Sequence, residues 1–143
     1  MRGFTLIELL VAMGILAILL GIAAVSMRGL DNPLNDAVQQ VSGSLKQSRL
    51  KAMSNTNAYR VKPASSTQLS VEYANNCAAS TWTHATAFER SLPEGIIFNS
   101  TAWSVCFNSR GLADSAINVV LVHQKDNKQR SIQVLLGGAV VQP

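Results

Sequence analysis

The chain has 143 residues, 12 of them Lys or Arg and 8 Asp or Glu, for a formal net charge of +4. Once the first thirty residues are set aside, that length holds about one small domain with a modest core. The cations are scattered without a run of five like charges, which excludes a basic tail. Two cysteines without C-x-x-C spacing argue against a metal centre or a dithiol redox site.

Leu9 to Met27 is an uncharged, apolar run. As a helix rising 1.5 Å per residue it spans roughly 28 Å, about the hydrocarbon thickness of a bilayer. Glu8 stands at its beginning, and three readings compete to explain it. A cleaved secretory signal calls for a basic leader, a shorter apolar core and a small-residue cleavage site. Here only Arg2 precedes the run, and the acid does not belong. A plain membrane anchor fits the length, but a carboxylate near a helix end in hydrocarbon costs about 1–3 kcal/mol for no return. The third reading gives the acid a partner. A cut between Gly3 and Phe4 creates a free α-amine four residues before Glu8. In a bundle of such helices, Glu8 of one chain meets the amine of its neighbour. Either charge alone is penalised in an apolar interior, so the pair sets axial register as a buried polar group does in a coiled coil.

Gly3-Phe4-Thr5-Leu6-Ile7-Glu8-Leu9-Leu10 resembles the prepilin signature of type IV pilins and type II secretion pseudopilins. The resemblance implies that a prepilin peptidase cuts after Gly3, that Phe4 becomes the methylated first residue, and that Glu8 is the assembly glutamate. It implies a precursor in the bacterial inner membrane, then a periplasmic or extracellular filament. The implied partners are copies of the chain or related pilins, the peptidase and the inner-membrane assembly machinery, with no cofactor. The leader Met1-Arg2-Gly3 is short for the family, and the proline that many pilins carry late in this helix is absent. Gly14 and Gly21 are the only helix breakers, each worth about 1 kcal/mol relative to alanine. They mark either local unwinding on packing or close helix contact through small residues.

Arg28-Gly29-Leu30-Asp31-Asn32-Pro33 interrupts or bends the helix, with Asn32 as N-cap and Pro33 at the first helical position. Leu34, Val38, Val41, Leu45, Ser48 and Ala52 then fall on one helix face, which Leu50 and Met53 widen before Asn55-Thr56-Asn57 stops the helix. Strands are predicted at Ala58–Lys62, Gln68–Tyr73, Ile96–Asn99, Trp103–Phe107, Ile117–His123, Arg130–Leu136 and Ala139-Val140-Val141. The 75–91 stretch reads as a long polar surface region tied down by Cys77. An even cysteine count behind an export-type N-terminus predicts one disulfide, Cys77–Cys106, with two buried free thiols as the alternative. Its loop of about 30 residues would contribute roughly 3–4 kcal/mol on chain-entropy grounds. Asn108-Ser109-Arg110-Gly111 and Lys125-Asp126-Asn127-Lys128 carry turn chemistry.

One helix followed by strands predicts an α+β fold, a long N-terminal helix packed on an antiparallel β-sheet. The expected division is a leader (1–3), a hydrophobic membrane or filament-core helix (4–30) and a globular domain (31–143). This agrees with a pilin fold. The helix end Ser48-Arg49-Leu50-Lys51-Ala52-Met53-Ser54-Asn55 and the later Phe107-Asn108-Ser109-Arg110-Gly111 resemble the minor-pilin and H-type pseudopilin branch.

No catalytic spacing is present. His84 and His123 lack metal-ligand spacing, no phosphate-binding glycine loop or nucleophile elbow occurs, and the acids are isolated in sequence, so no enzyme and no metal site is expected. The expected function is a structural subunit of a type IV pilus-like filament. The alternatives are a minor pseudopilin of type II secretion and a minor pilin that binds DNA. For DNA the candidates are Lys125, Lys128 and Arg130, a thin patch beside Asp126 that reads more simply as a solvated hairpin tip.

Overall fold

A computed structural model describes residues 5–27 and 32–143, with side chains for all of these except 22–27. The expected cleavage residues Gly3 and Phe4, and most of the expected bend (28–31), lie outside the described residues. The chain divides into two compact units, Met1–Asn32 and Pro33–Pro143.

The first unit contains helix α1, Leu6–Met27. Every described large apolar side chain on it, from Leu6 to Leu20, is exposed within the single chain. The helix therefore has no polar face to give to water, which is the pattern of a segment buried on all sides by something else. Among the described residues no helix is long and apolar enough to cross a membrane. The helical backbone of α1, however, continues to Met27 through residues that bear no charge.

The second unit is built on α2, Pro33–Asn55. Proline is suited to the first helical position because its missing N–H would find no partner there. The helix ends where Thr56 takes φ +56°, a left-handed conformation that cannot continue a helix. The face running Leu34, Ala37, Val38, Val41, Leu45, Ser48 and Ala52 is buried, as the spacing predicts. Leu50 and Met53 do not widen it: they are 60% and 38% exposed. At 100° per residue Leu50 lies on the opposite side of the helix from the buried face and Met53 at its flank.

The helix packs on antiparallel sheet as expected, and among the described residues the nine strands divide into two sheets. The first has the order β3-β2-β1-β6, with β1 at Ala58–Pro63, β2 at Gln68–Ala74, β3 at Thr83–His84 and β6 at Val105–Phe107. A short β4, Arg90–Ser91, also pairs with β2. The second has the order β5-β7-β8-β9: Ile96–Phe98, Ile117–His123, Gln129–Val134 and Val140–Val141. The segments β5 and β6, adjacent in sequence, thus go to different sheets. The β7–β8 hairpin forms as predicted, with Val119 opposite Ile132 and Leu121 opposite Arg130. Both sheets pack on α2, and Leu45, Val61, Val71, Phe107, Ile96, Leu121 and Ile132 share one core.

Two turns meet at the far end of α2. The half-buried Arg49 donates Nε to the Gly111 carbonyl (3.0 Å) and Nη2 to the Gly137 carbonyl (3.3 Å). Gly138, at φ +76°, lies against the same place, and a Cβ there would overlap the Gly111 carbonyl oxygen. Gly138→Ala combines left-handed strain with a backbone clash. It is expected to cost about 2–3 kcal/mol, read as a lowered denaturant midpoint; an unchanged midpoint would show that the turn shifts freely.

Candidate functional site

The chemistry-bearing end of the chain is the start of α1. Thr5 precedes the helix and Glu8 follows three residues later, the spacing of a capping box. The Thr5 N–H donates to Glu8 Oε2 at 2.9 Å, and the Thr5 hydroxyl donates to the same oxygen at 2.9 Å. In return the Glu8 N–H donates to Thr5 Oγ1 at 3.3 Å. The carboxylate thereby satisfies a terminal donor and sits at the positive end of the helix dipole. The sequence reading weighed only the α-amine as partner for this acid. The signal it passed over was T-x-x-E immediately before an apolar run. Both described bonds fall on Oε2, so among the described residues Oε1 keeps acceptor capacity for a second donor.

In the second unit, Cys77 and Cys106 are joined by a disulfide, with Cα atoms 5.9 Å apart. Cys106 belongs to a row that crosses four strands on the outer face of the first sheet: Cys106 opposite Arg60, Arg60 opposite Glu72, Glu72 opposite His84. The 75–91 segment is tied down at Cys77 as expected, but it is not irregular throughout. It adds β3, a 3-10 turn at Thr86–Phe88 and β4, and it folds over that outer face. Under it Ser70 and Glu72 are buried, although strand alternation alone would leave them in water. Trp82 lies beneath the Arg60 guanidinium, 4.0 Å from its carbon to the ring centroid, and its indole N–H donates to the Ala79 carbonyl at 2.9 Å. Trp103 instead packs edge-on against Phe98 at the core.

Glu72 is the buried charge of this face. Arg60 Nη2 reaches its Oε2 at 2.6 Å and Lys62 Nζ its Oε1 at 2.9 Å. Burial pushes the carboxyl up, but the hydrogen bonds and charges of Arg60 and Lys62 outweigh it and hold the group below its ordinary value. The group is therefore ionised, and its role is to be paired. The two exposed His84 contacts are longer, 3.8 Å to Glu72 and 3.5 Å to Glu89. Among the described residues no three metal-ligating side chains converge.

Lys125, Lys128 and Arg130, the residues considered for DNA, lie in or beside the β7–β8 turn and are all exposed. Lys128 Nζ is committed to Asp126 Oδ2 at 2.9 Å, and the other Asp126 oxygen meets His123 Nδ1. Lys128 and His123 hold the Asp126 carboxyl well below its ordinary range. The tip is thus a neutralised turn flanked by Lys125 and Arg130.

The described chain is thus an apolar helix opened by a capped glutamate and a second unit in which one helix packs on antiparallel sheets. Residues 1–24 match the prokaryotic N-terminal methylation motif. No curated protein matches by sequence. Among solved structures, the fold is similar to the type IV minor pilin FimU of Pseudomonas aeruginosa. The TM-score is 0.62 at 15% identity, over 77% of this chain and 87% of that one. A second crystal form of FimU gives 0.60 at 15% identity, over 77% and 92%. The minor pseudopilin EpsH from the type 2 secretion system of Vibrio cholerae gives 0.59 at 12% identity, over 78% and 97%. The chain thus carries an N-terminal methylation motif over residues 1–24 and a fold similar to that of a type IV minor pilin and a minor pseudopilin.

Proposed function

We propose that this protein is a subunit of a type IV pilus-like filament. It is held in the bacterial inner membrane by α1 as a prepilin, cleaved after Gly3, methylated on Phe4 and polymerised through α1. The observation that carries the reading is a helix exposed and apolar on every side, with one carboxylate placed in its first turn. A bilayer, and later a bundle of like helices, supplies the burial that α1 lacks, at about 25 cal/mol per Å² of apolar surface. Head-to-tail contacts that do not close into a ring extend as a filament. The role is structural and calls on no catalytic group.

Mass spectrometry of filaments sheared from cells tests it. The expected result is a chain that begins at N-methylated Phe4 and carries the Cys77–Cys106 link. A chain missing from the filaments, or one that retains Met1 there, overturns the reading.

A second reading, a minor pseudopilin of type II secretion, is supported by fold similarity to EpsH nearly equal to that to FimU. A deletion strain separates the two, by loss of secretion in one case and loss of twitching in the other. For the DNA-binding alternative, the Asp126–Lys128 pair leaves Lys125 and Arg130 as the available cations of the turn. Two cations release too few counterions for firm binding at physiological salt.

A further inference from the structure

We propose that the groove between the last turns of α2 and the 86–90 segment is a docking surface for an acidic, apolar segment of a neighbouring filament subunit. The proposal rests on the filament reading above. Gln47, Leu50, Lys51 and Ser54 form one wall, and Phe88 and Arg90 the other, around a volume of about 590 Å³. The four α2 residues recur at helical spacing, so they present a single face.

That face is apolar at its centre and cationic at its rim. Leu50 is 60% exposed, a large hydrocarbon surface that the protein's own core leaves uncovered. Arg90 is held in place by two bonds from Nη1, to the Ala87 carbonyl at 3.1 Å and the Glu89 carbonyl at 2.8 Å. Lys51 is exposed and makes no ion pair among the described residues. Glu89, the nearest acid in sequence, faces His84 instead.

Charge complementarity selects the occupant. From Lys46 onward α2 carries Lys46, Arg49 and Lys51 and no acidic side chain. None of the residues that line the groove is acidic. Lys51 and Arg90 stand beside the uncovered Leu50, and a carboxylate next to an apolar side chain satisfies both. A polypeptide is favoured over a membrane surface. The site is a recess whose Gln47 and Ser54 can bond peptide amides, whereas lipid headgroups present a broad plane that meets projecting cations.

The test places the photo-crosslinking residue benzoylphenylalanine at Ser54 in the full-length chain, in cells that assemble filaments, and maps the product by mass spectrometry. The expected partner segment belongs to another pilin-like subunit and holds Asp or Glu beside an apolar residue. Its yield falls at least about fivefold when Lys51→Glu and Arg90→Glu are combined, and it is retained with Lys51→Arg. Should the double variant misfold, Lys51→Glu alone, at an exposed position, gives the same readout. Absence of a crosslink, a crosslink only to lipid, a partner segment without an acid, or a yield insensitive to charge reversal each overturns the proposal. Absence of filaments in wild-type cells would overturn the filament reading separately, and the crosslink mapped in the membrane fraction would still decide the groove.

Discussion

Glu8→Ala is expected to leave the precursor in the membrane fraction and to lower the yield of sheared filaments by more than about tenfold, which corresponds to about 1.4 kcal/mol. The asymmetry follows from where the acid sits. Removing a carboxylate makes α1 more apolar, so membrane insertion is not opposed. In the proposed bundle the same change would leave each α-amine buried without its counter-charge, and orphaning one partner of a buried pair costs about 3–5 kcal/mol. The defect recurs at every subunit contact. The capping box supplies the control that separates charge from capping. Glutamine at this position can still return a bond to the Thr5 N–H, so Glu8→Gln preserves the cap and removes the charge. Thr5→Ala does the reverse and costs about 0.5–2 kcal/mol of helix stability. Poor assembly of Glu8→Gln beside near-normal assembly of Thr5→Ala is the expected pair of results. Normal filaments from Glu8→Gln would mean that capping is the acid's entire role.

The second large effect lies in the head. Replacing both Cys77 and Cys106 by alanine opens a loop whose ends are 29 residues apart. The expected loss is about 3–4 kcal/mol on chain-entropy grounds, a fall in Tm of roughly 10–15 °C, measured on the full-length chain in detergent. The loss has a local signature as well. The link is what anchors the 75–91 segment at Cys106, next to Arg60 in the row beneath it. Without it Trp82 is expected to leave the Arg60 guanidinium, and the tryptophan fluorescence changes before the global transition. A variant that melts at the wild-type temperature would show that the β3 and β4 pairings with β2 hold the segment unaided.

The motif pair quoted from the end of α2 and from Phe107–Gly111 acquires a physical cause in the structure. Its arginine, Arg49, reaches the carbonyl of its glycine, Gly111, and closes the helix end onto two turns. Nothing in the linear spacing announces that contact, because the partners are 62 residues apart. The groove beside it was equally hidden. Leu50 falls on the side of α2 opposite the buried face and Met53 at its flank, and both are exposed.

Local chemistry was enough for the parts of this protein whose causes are local. A proline at the first turn of α2, a 4-3-4-3 face and a polar turn between two alternating strands each state their own consequence, since the forces involved act within a few residues. Tertiary structure alone decided the rest. The strands divided into two sheets, the 75–91 segment became a cover, and Glu72 became a buried, paired charge. Strand partners, loop placement and the burial of outward-facing residues depend on contacts between distant parts of the chain. Those contacts are set by how one helix of fixed length can shield two sheets at once, a constraint that belongs to the assembled core and to no single segment.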